Sequence, residues 1–521
     1  MDMELLFLYA PCCLVLVLSS LYLLGLYADS RRNLPPGPRP LPLVGSLFSL
    51  GALPHRSLAR LAERHGPLMA LRLGTVTTVV ASSADAARDV LQRHDAAFSG
   101  RSLLDGTHAF AHYTHSMVWL PTSSPRWRAL RKVCSAELFA PHRLDTRQSL
   151  RRDKVRALVS HVARLARAGA PVAVGRLAFV TALNLLSSTI FSTDFADIDD
   201  DGRSSSSSFK GILAELNATV GLPNVSDFFP EVARLDPQGL RRRIESLFQR
   251  LHAMMDKQIE RRLQDRAAAA AGPKKEKDFL DVLLDYGGAE EDDGRRGFDR
   301  QTLLSLLSDL FSAGTDTSAA TVEWVMAELL LNPTSMAKAR AELAEVMGSR
   351  PEVEECDIAE LKYLQAVVKE TFRIHPPAPL LLPHQAETTT QIRGGAGAYA
   401  VPKGARVVVN VWAIGHDGEA WPEPDKFVPE RFLVGDGHGD EKKAVDFRGR
   451  DFELLPFGSG RRMCPGMPLA LRMVHLMLAS LLHRFEWRLP DPASDDGLDM
   501  RERLGLNLSM ATPLQAMATP V

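Results

Sequence analysis

The longest uninterrupted apolar stretch opens the chain: Leu5 to Ala28 is 24 residues without a charge. As a helix it would reach roughly 36 Å, against a hydrocarbon layer of ~30 Å, which predicts a membrane-crossing helix within residues 1–30. Asp2 and Glu4 precede it, while Arg31 and Arg32 follow it. The excess of basic residues on the C-terminal flank places the rest of the chain in the cytosol. A cleaved signal peptide is the rival reading. The acidic start, the length of the run and the lack of a small-x-small cleavage site speak against it. Prolines at 35, 36, 38, 40 and 42 then exclude a helix and make residues 31–45 a stiff connector, whether a spacer or a neck that sets how the body sits on the membrane.

Beyond the neck the pattern changes to apolar residues recurring at three and four positions. It predicts helices over 55–66, 84–94, 125–138, 239–266, 300–331, 334–348 and 358–375. Short alternating or β-branched runs, Leu68–Leu73, Thr75–Val80 and Arg406–Val411, predict strands. The polar stretches 197–208, 267–277, 287–297 and 435–450 read as surface loops. No repeat of 20–50 residues is present, so a solenoid is excluded. The expectation is a mainly α protein, one helix-rich body over 46–521 with a small β-rich part, on one N-terminal transmembrane helix.

Charge narrows the partners. The 62 basic and 63 acidic side chains leave a net charge of −1, unlike a chain that grips nucleic acid. Five irregularly spaced cysteines exclude a disulfide scaffold and predict reduced thiols. Two glycosylation-type sequences, Asn217-Ala-Thr and Asn224-Val-Ser, should stay bare on the cytosolic side.

The most specific chemistry lies in FGSGRRMCPG, residues 457–466, where Phe457, Gly460, Arg462, Cys464 and Gly466 are regularly placed. Glycines permit a tight loop whose N–H groups can meet a sulfur; a cation sits two residues away and an aromatic ring can shield a thiolate. The plain alternative is a buried free cysteine. A dinucleotide loop is excluded, since the third glycine of that fingerprint is missing. AGTDTS, residues 313–318, interrupts a long apolar helix with poor helix formers, which suggests a local widening at a functional site. There Asp316 beside Thr317 forms an acid–alcohol pair able to relay protons; a solvated turn is the alternative. KETFR sets Glu370 and Arg373 on one helical face, and PERF offers Arg431 as a second cation. Such a pair matters only if buried. In WRALRK, Trp127 and Arg131 are four apart and can present an indole N–H and a guanidinium together, although a basic surface helix fits equally.

Together these stretches resemble the cytochrome P-450 monooxygenases, in motif order and along essentially the whole chain. The resemblance implies the cytochrome P-450 fold and haem b. Cys464 would be its axial thiolate, and metal ligand, with Phe457 over the sulfur and Gly460 in the loop; that thiolate ligation is a known route to O–O cleavage. Arg462, Trp127 and Arg131 would hold the propionates. His384 stands where many relatives carry a propionate-binding arginine. Asp316 and Thr317 would be catalytic, and Glu370, Arg373 and Arg431 a structural lock. Arg128 and Lys132 would add to a docking surface for a redox partner. Residues 375–384, 401–417 and 451–466 resemble the plant microsomal geraniol-hydroxylase-like branch. This implies hydroxylation of a monoterpenoid or diterpenoid at the endoplasmic reticulum membrane, with O2 and electrons from an NADPH-cytochrome P-450 reductase, since no flavin or nicotinamide fingerprint is present. A flavonoid or other phenolic is the alternative substrate, and a haem-thiolate isomerase or dehydratase the alternative class. Substrate walls are expected from 106–119 (Phe110, His112, Trp119), Leu216–Pro223, Leu310, Phe311, Ala378–Leu382 and Leu508–Met510.

Overall fold

The computed structural model describes residues 33–200, 208–268, 277–288, 298–394, 397–433, 445–490 and 497–521. The expected N-terminal anchor lies outside these residues. Ten helices position the site: α1 (Pro54–His65), α2 (Pro125–Val133), α3 (Gln148–Arg167), α4 (Val174–Phe191), α5 (Phe209–Val220), α6 (Leu240–Ala268), α7 (Arg300–Leu331), α8 (Pro333–Met347), α9 (Lys362–Ile374) and α10 (Met467–Arg484). Proline at the first position starts α1, α2 and α8, where its missing N–H is harmless. Asp299 caps α7 by accepting the Thr302 N–H, and Ser208 caps α5 through Gly211.

The β part is a five-stranded sheet of β1 (Leu68–Leu73), β2 (Val76–Ala81), β3 (Gly100–Arg101), β4 (His384–Gln385) and β5 (Arg406–Val409). Their spatial order is β1-β2-β5-β4-β3. Only β2 and β5 run parallel, with Thr78 opposite Arg406. Near the C-terminus β6 (Glu502–Leu504) and β7 (Leu508–Met510) form a hairpin. The neck is no free spacer. Ala70 donates to the Pro36 carbonyl, Gly45 bridges to Leu73, and a Cβ at Gly37 would lie 1.8 Å from the Ala70 oxygen.

Predicted and observed helices agree closely for 300–331 and within two residues for α1, α6 and α8. The run 84–94 splits into an α-helical turn and a π-helical turn at Asp89–Arg93, and 125–138 likewise ends in a π-helical turn at Cys134–Leu138. The apolar periodicity did not announce α4 or α10, because both are apolar nearly all round and buried on most faces. Among the described residues α4 alone is long and apolar enough to cross a membrane, yet it is a core helix packed along α7. The widening expected at 313–318 is absent: α7 runs through it unbroken. Gly314 has a different reason. A Cβ there would sit 2.7 Å from Leu186 Cδ1, so glycine lets α4 approach α7.

Candidate functional site

One cavity of about 420 Å³ gathers residues from α2, α5, α7, the loop 104–119, the segment after α9 and the Cys464 loop. Below it, the loop is closed by the Cys464 N–H donating to the Phe457 carbonyl at 3.0 Å and by Ser459 Oγ donating to the Gly449 carbonyl. Gly460 has φ +68, and a Cβ there would meet the Leu91 oxygen at 2.2 Å, so both conformation and space require glycine. Phe457 packs edge-on against Phe372 (5.3 Å) and Phe447 (5.9 Å), a rigid aromatic wall beside the sulfur. Cys464 lies within the protein, and the surface it exposes lines the cavity. Burial pushes its thiol pKa up; the Gly466 N–H, the Arg131 charge and the Met467 N–H at the start of α10 oppose this by favouring thiolate. A metal bound to sulfur would complete the deprotonation.

Beside this loop stand three arginines. Burial, and then the neighbouring Arg462, bring Arg101 down to about 9. Burial, and then Arg131, bring Arg462 down to about 10. Arg131 is lowered too, by burial, against the opposing pull of Cys464 and Cys134. Arg462 donates to the carbonyls of Ser99, Val118 and Leu120 at 2.9, 3.2 and 2.6 Å, and lies 5.3 Å over the Trp127 ring. Arg101 donates to the Leu382 carbonyl, while its Nε is buried without a partner. The Arg131 guanidinium makes no hydrogen bond or ion pair to another described residue. Crowded cations with an orphaned donor fit a ligand that brings negative charge, as the two propionates of haem do. The donor set suits the expected cofactor.

Other expected partners sit differently. The Trp127 N–H donates to the Met117 carbonyl at 3.1 Å, so its indole braces the loop 104–119. His384 lines the cavity wall, with Nδ1 2.7 Å from the Phe98 carbonyl. Burial, with Arg101 next, brings its pKa down to about 3, so the ring is neutral.

Above the cavity, α7 presents Asp316 and Thr317. Thr317 Oγ1 donates back to the Ala313 carbonyl at 2.7 Å, and Thr315, Ser318 and Thr321 bond one turn back in the same way. Asp316 Oδ2 accepts from Asn217 Nδ2 of α5 at 2.6 Å. Burial raises the Asp316 pKa, opposed by that bond and by Arg503. Further along α7, Asp309 accepts from Ser116 Oγ at 2.7 Å and meets His112 Nε2 at 3.0 Å, tying the loop 104–119 to the helix.

Of the expected walls, His112, Trp119, Leu216, Leu222, Leu310, Ala378, Leu381 and Leu382 do line the cavity. Phe311 does not: it is fully buried in a cluster with Phe191, Phe195 and Phe209. Phe110 is partly exposed and faces His252. Leu508 and Met510 belong to the core, and the hairpin turn offers Leu506 and Asn507 instead. The sequence did not single out Arg101 or Asp309, and it placed Asn217 only within the Leu216–Pro223 wall and a glycosylation-type sequence. Arg101 had a faint signal, the Phe98-Ser-Gly run before it; the others are met only through contacts across 99 to 197 positions of chain. Asn217 and Asn224 are both buried, which leaves no room for a glycan in the folded protein.

Comparison with known proteins adds the last observation. The family model for cytochrome P-450 matches residues 35–511. Geraniol 8-hydroxylase of Swertia mussotii is 45% identical over 498 residues, covering 96% of each chain. Geraniol 8-hydroxylase of Catharanthus roseus is 45% identical over 510 residues, covering 97% of this chain and 99% of that one. Ferruginol synthase of Salvia miltiorrhiza is 42% identical over 487 residues, covering 93% and 94%.

Proposed function

The chain belongs to the cytochrome P-450 family, as a monooxygenase, and from that premise we propose that it hydroxylates a monoterpenoid or diterpenoid at an unactivated carbon. O2 would supply the oxygen, with one atom entering the product and the other leaving as water. An NADPH-dependent reductase would supply the electrons.

The observation that carries this reading is one cavity lined by Cys464 below and by Asp316 and Thr317 above. Haem, when bound, supplies the oxygen-activating chemistry, and a cysteine thiolate favours O–O cleavage. In this reading Cys464 holds the iron, and Arg101, Arg131 and Arg462 hold the propionates. Asp316 and the Thr317 hydroxyl hold and move protons above. Leu216, Leu310, Ala378 and Leu382 exclude water and receive an apolar substrate. The acid–alcohol pair favours oxygen chemistry over isomerisation or dehydration, which need no proton relay to oxygen.

Residues 1–30 would be the anchor, 31–45 the neck and 46–521 the catalytic body, facing the cytosol from the endoplasmic reticulum membrane. Exposed Leu41, Leu43 and Phe48 beside the neck, and Leu222, Val225 and Leu235 after α5, support this. The two segments approach each other at the β1–β2 turn, where Thr75 N–H donates to the Phe228 carbonyl and Gly45 bridges to Leu73.

The test is microsomes containing this protein and a reductase, given geraniol, a diterpene olefin or a flavanone. NADPH-dependent hydroxylation of a terpenoid is expected. Turnover of the flavanone alone would move the substrate to phenolics, and product without NADPH would select an isomerase or dehydratase.

A further inference from the structure

The roof of the cavity carries a connection that the motifs do not contain. Asn217 sits on α5, 3% exposed, although asparagine is rarely so deeply buried without a polar partner. Its amide is fully oriented. Ser312 Oγ donates to Oδ1 at 2.8 Å, and Nδ2 donates to Asp316 Oδ2 at 2.6 Å. While Asp316 is ionised it can only accept, so the amide nitrogen faces it and the amide oxygen faces Ser312.

The same carboxyl-bearing residue is held from a third element. Asn507 Nδ2, in the β6–β7 turn, donates to the Asp316 backbone carbonyl at 3.3 Å. That turn touches the end of α5: a Cβ on Gly221 would lie 2.3 Å from Leu506 N. Three elements, α5, α7 and the hairpin turn, therefore close on one acid. Of these, α5 lies over the cavity, with Leu216, Thr219 and Val220 lining it.

The charged surroundings leave the amide as the direct partner. Arg503 on β6 acts on Asp316 through space, without a hydrogen bond to it. On α5, Lys210 pairs with Asp200 and Glu215 with Arg243, so neither is engaged with Asp316. A carboxyl held by a neutral amide keeps its freedom to exchange a proton, whereas a buried guanidinium would lock it as the anion.

The geometry points to Asn217 as a positioning residue that ties the relay carboxyl of Asp316 to the roof helix α5, so that proton delivery is set only while the roof lies over the cavity. This rests on Asp316 being the relay acid of the proposed monooxygenase. Lifting α5 breaks the bond to Asn217, leaving the carboxyl to Arg503 and to whatever water enters. Closing α5 restores one orientation beside Thr317.

The test follows the Asp316 carboxyl in the haem-loaded protein by infrared difference titration, its band identified by disappearance in Asp316→Asn. In Asn217→Leu the midpoint should rise by about one pH unit, a tenfold change in proton affinity, because burial is no longer opposed by the amide. Ser312→Ala, which only frees the amide, should move it less and in the same direction. With geraniol as probe, product formed per NADPH should shift its pH profile in parallel. The double variant Asn217→Leu/Asp316→Asn should lose no more coupling than Asp316→Asn alone. Unmoved midpoints, or additive losses in the double variant, overturn the inference. If Asn217→Leu fails to hold haem, Ser312→Ala decides by itself, an unmoved midpoint there overturning it. The titration needs no substrate, so a wrong substrate class leaves it intact. Full coupling in Asp316→Asn would instead sink the relay reading.

Discussion

The floor and the roof of the cavity both bury acids, but they hold them by opposite means. Beneath the Cys464 loop, Glu370 and Arg373 of α9 are wholly buried. Glu370 accepts two bonds from Arg373, one from Arg431 and one from the Val428 N–H, at 2.8 to 3.2 Å. Arg373 also donates to the Gly415 and Pro424 carbonyls. This is a lock of one buried carboxylate gripped by two guanidiniums. Among the described residues the roof has no such cation in hydrogen-bond contact. Asp316 is held by an amide, and Asp309 by a serine and a histidine. A fixed charge suits a part that must not move; a neutral amide on Asp316 leaves that carboxyl free to exchange a proton, as the proposed relay requires.

The comparison breaks most visibly at the floor. Glu370→Ala strands two buried guanidiniums, and should cost about 3–5 kcal/mol of stability. Phe372, on the same helix, packs against Phe457, so haem retention should fail with it. Denaturation midpoints and the reduced carbon monoxide spectrum would show both losses together.

At the roof the expected effect is on chemistry and leaves stability intact. Thr317→Ala removes a hydroxyl that bonds only one turn back along its own helix, so the fold should hold. Product formed per NADPH should drop by about a hundredfold, the lower range for loss of a proton-transfer group, with peroxide released instead. Unchanged coupling would remove Thr317 from the relay.

How legible each region was follows from the same contrast. The floor is built of short-range spacing: Glu370 and Arg373 are three apart, and Phe457 to Cys464 is one loop. Residues whose partners are sequence neighbours leave a pattern, and those were readable. Arg431 needed only the assumption that its segment folds back onto α9, and it does. The roof is assembled from far-apart pieces, with Asn217 reaching Asp316 and Ser116 reaching Asp309. No periodicity records such meetings. Gly314 was visible as an anomaly but was given the wrong cause, since helix widening and close helix packing both call for a small residue. Phe311 was assigned to the wall because an aromatic residue on α7 fits both a pocket and a core; the neighbouring phenylalanines decided for the core.

Between floor and roof lies the arginine cluster, and its variants grade the two readings. Arg101 has an unpartnered buried Nε and Arg131 no protein partner among the described residues, so both are better spent on an anion than on the fold. Arg101→Leu and Arg131→Leu should each speed haem loss to a scavenger by about tenfold, at 1.4 kcal/mol per factor of ten; apoprotein stability should hold or improve in Arg131→Leu and fall in Arg101→Leu, which leaves the Leu382 carbonyl without its donor. Arg462, which already holds four backbone carbonyls, should lose both when replaced.

The smallest expected effect tests whether the roof's attachment responds to pH. The hairpin turn that reaches Asp316 hangs from β6, whose Glu502 is buried among His55 Nε2 at 3.1 Å, Arg56 Nε at 2.6 Å and His375 Nδ1 at 3.8 Å. His375 stacks on Trp324 and bonds Glu328 at 2.7 Å through its other nitrogen. Burial would lower the His375 pKa, but Glu328 and Glu502 together outweigh it, and the net direction is up from 6.5. A histidine raised in the folded state contributes stability in full below 6.5 and loses it as pH climbs through the folded value. The β6–β7 hairpin should therefore loosen on the alkaline side by about 1 kcal/mol per unit of that rise. Amide exchange of residues 502–510, corrected for intrinsic rates, reads this in the parent protein and in His375→Phe. Protection of the hairpin should fall above pH 6.5 and stay level in His375→Phe; a fall that persists in the variant would remove His375 as the cause.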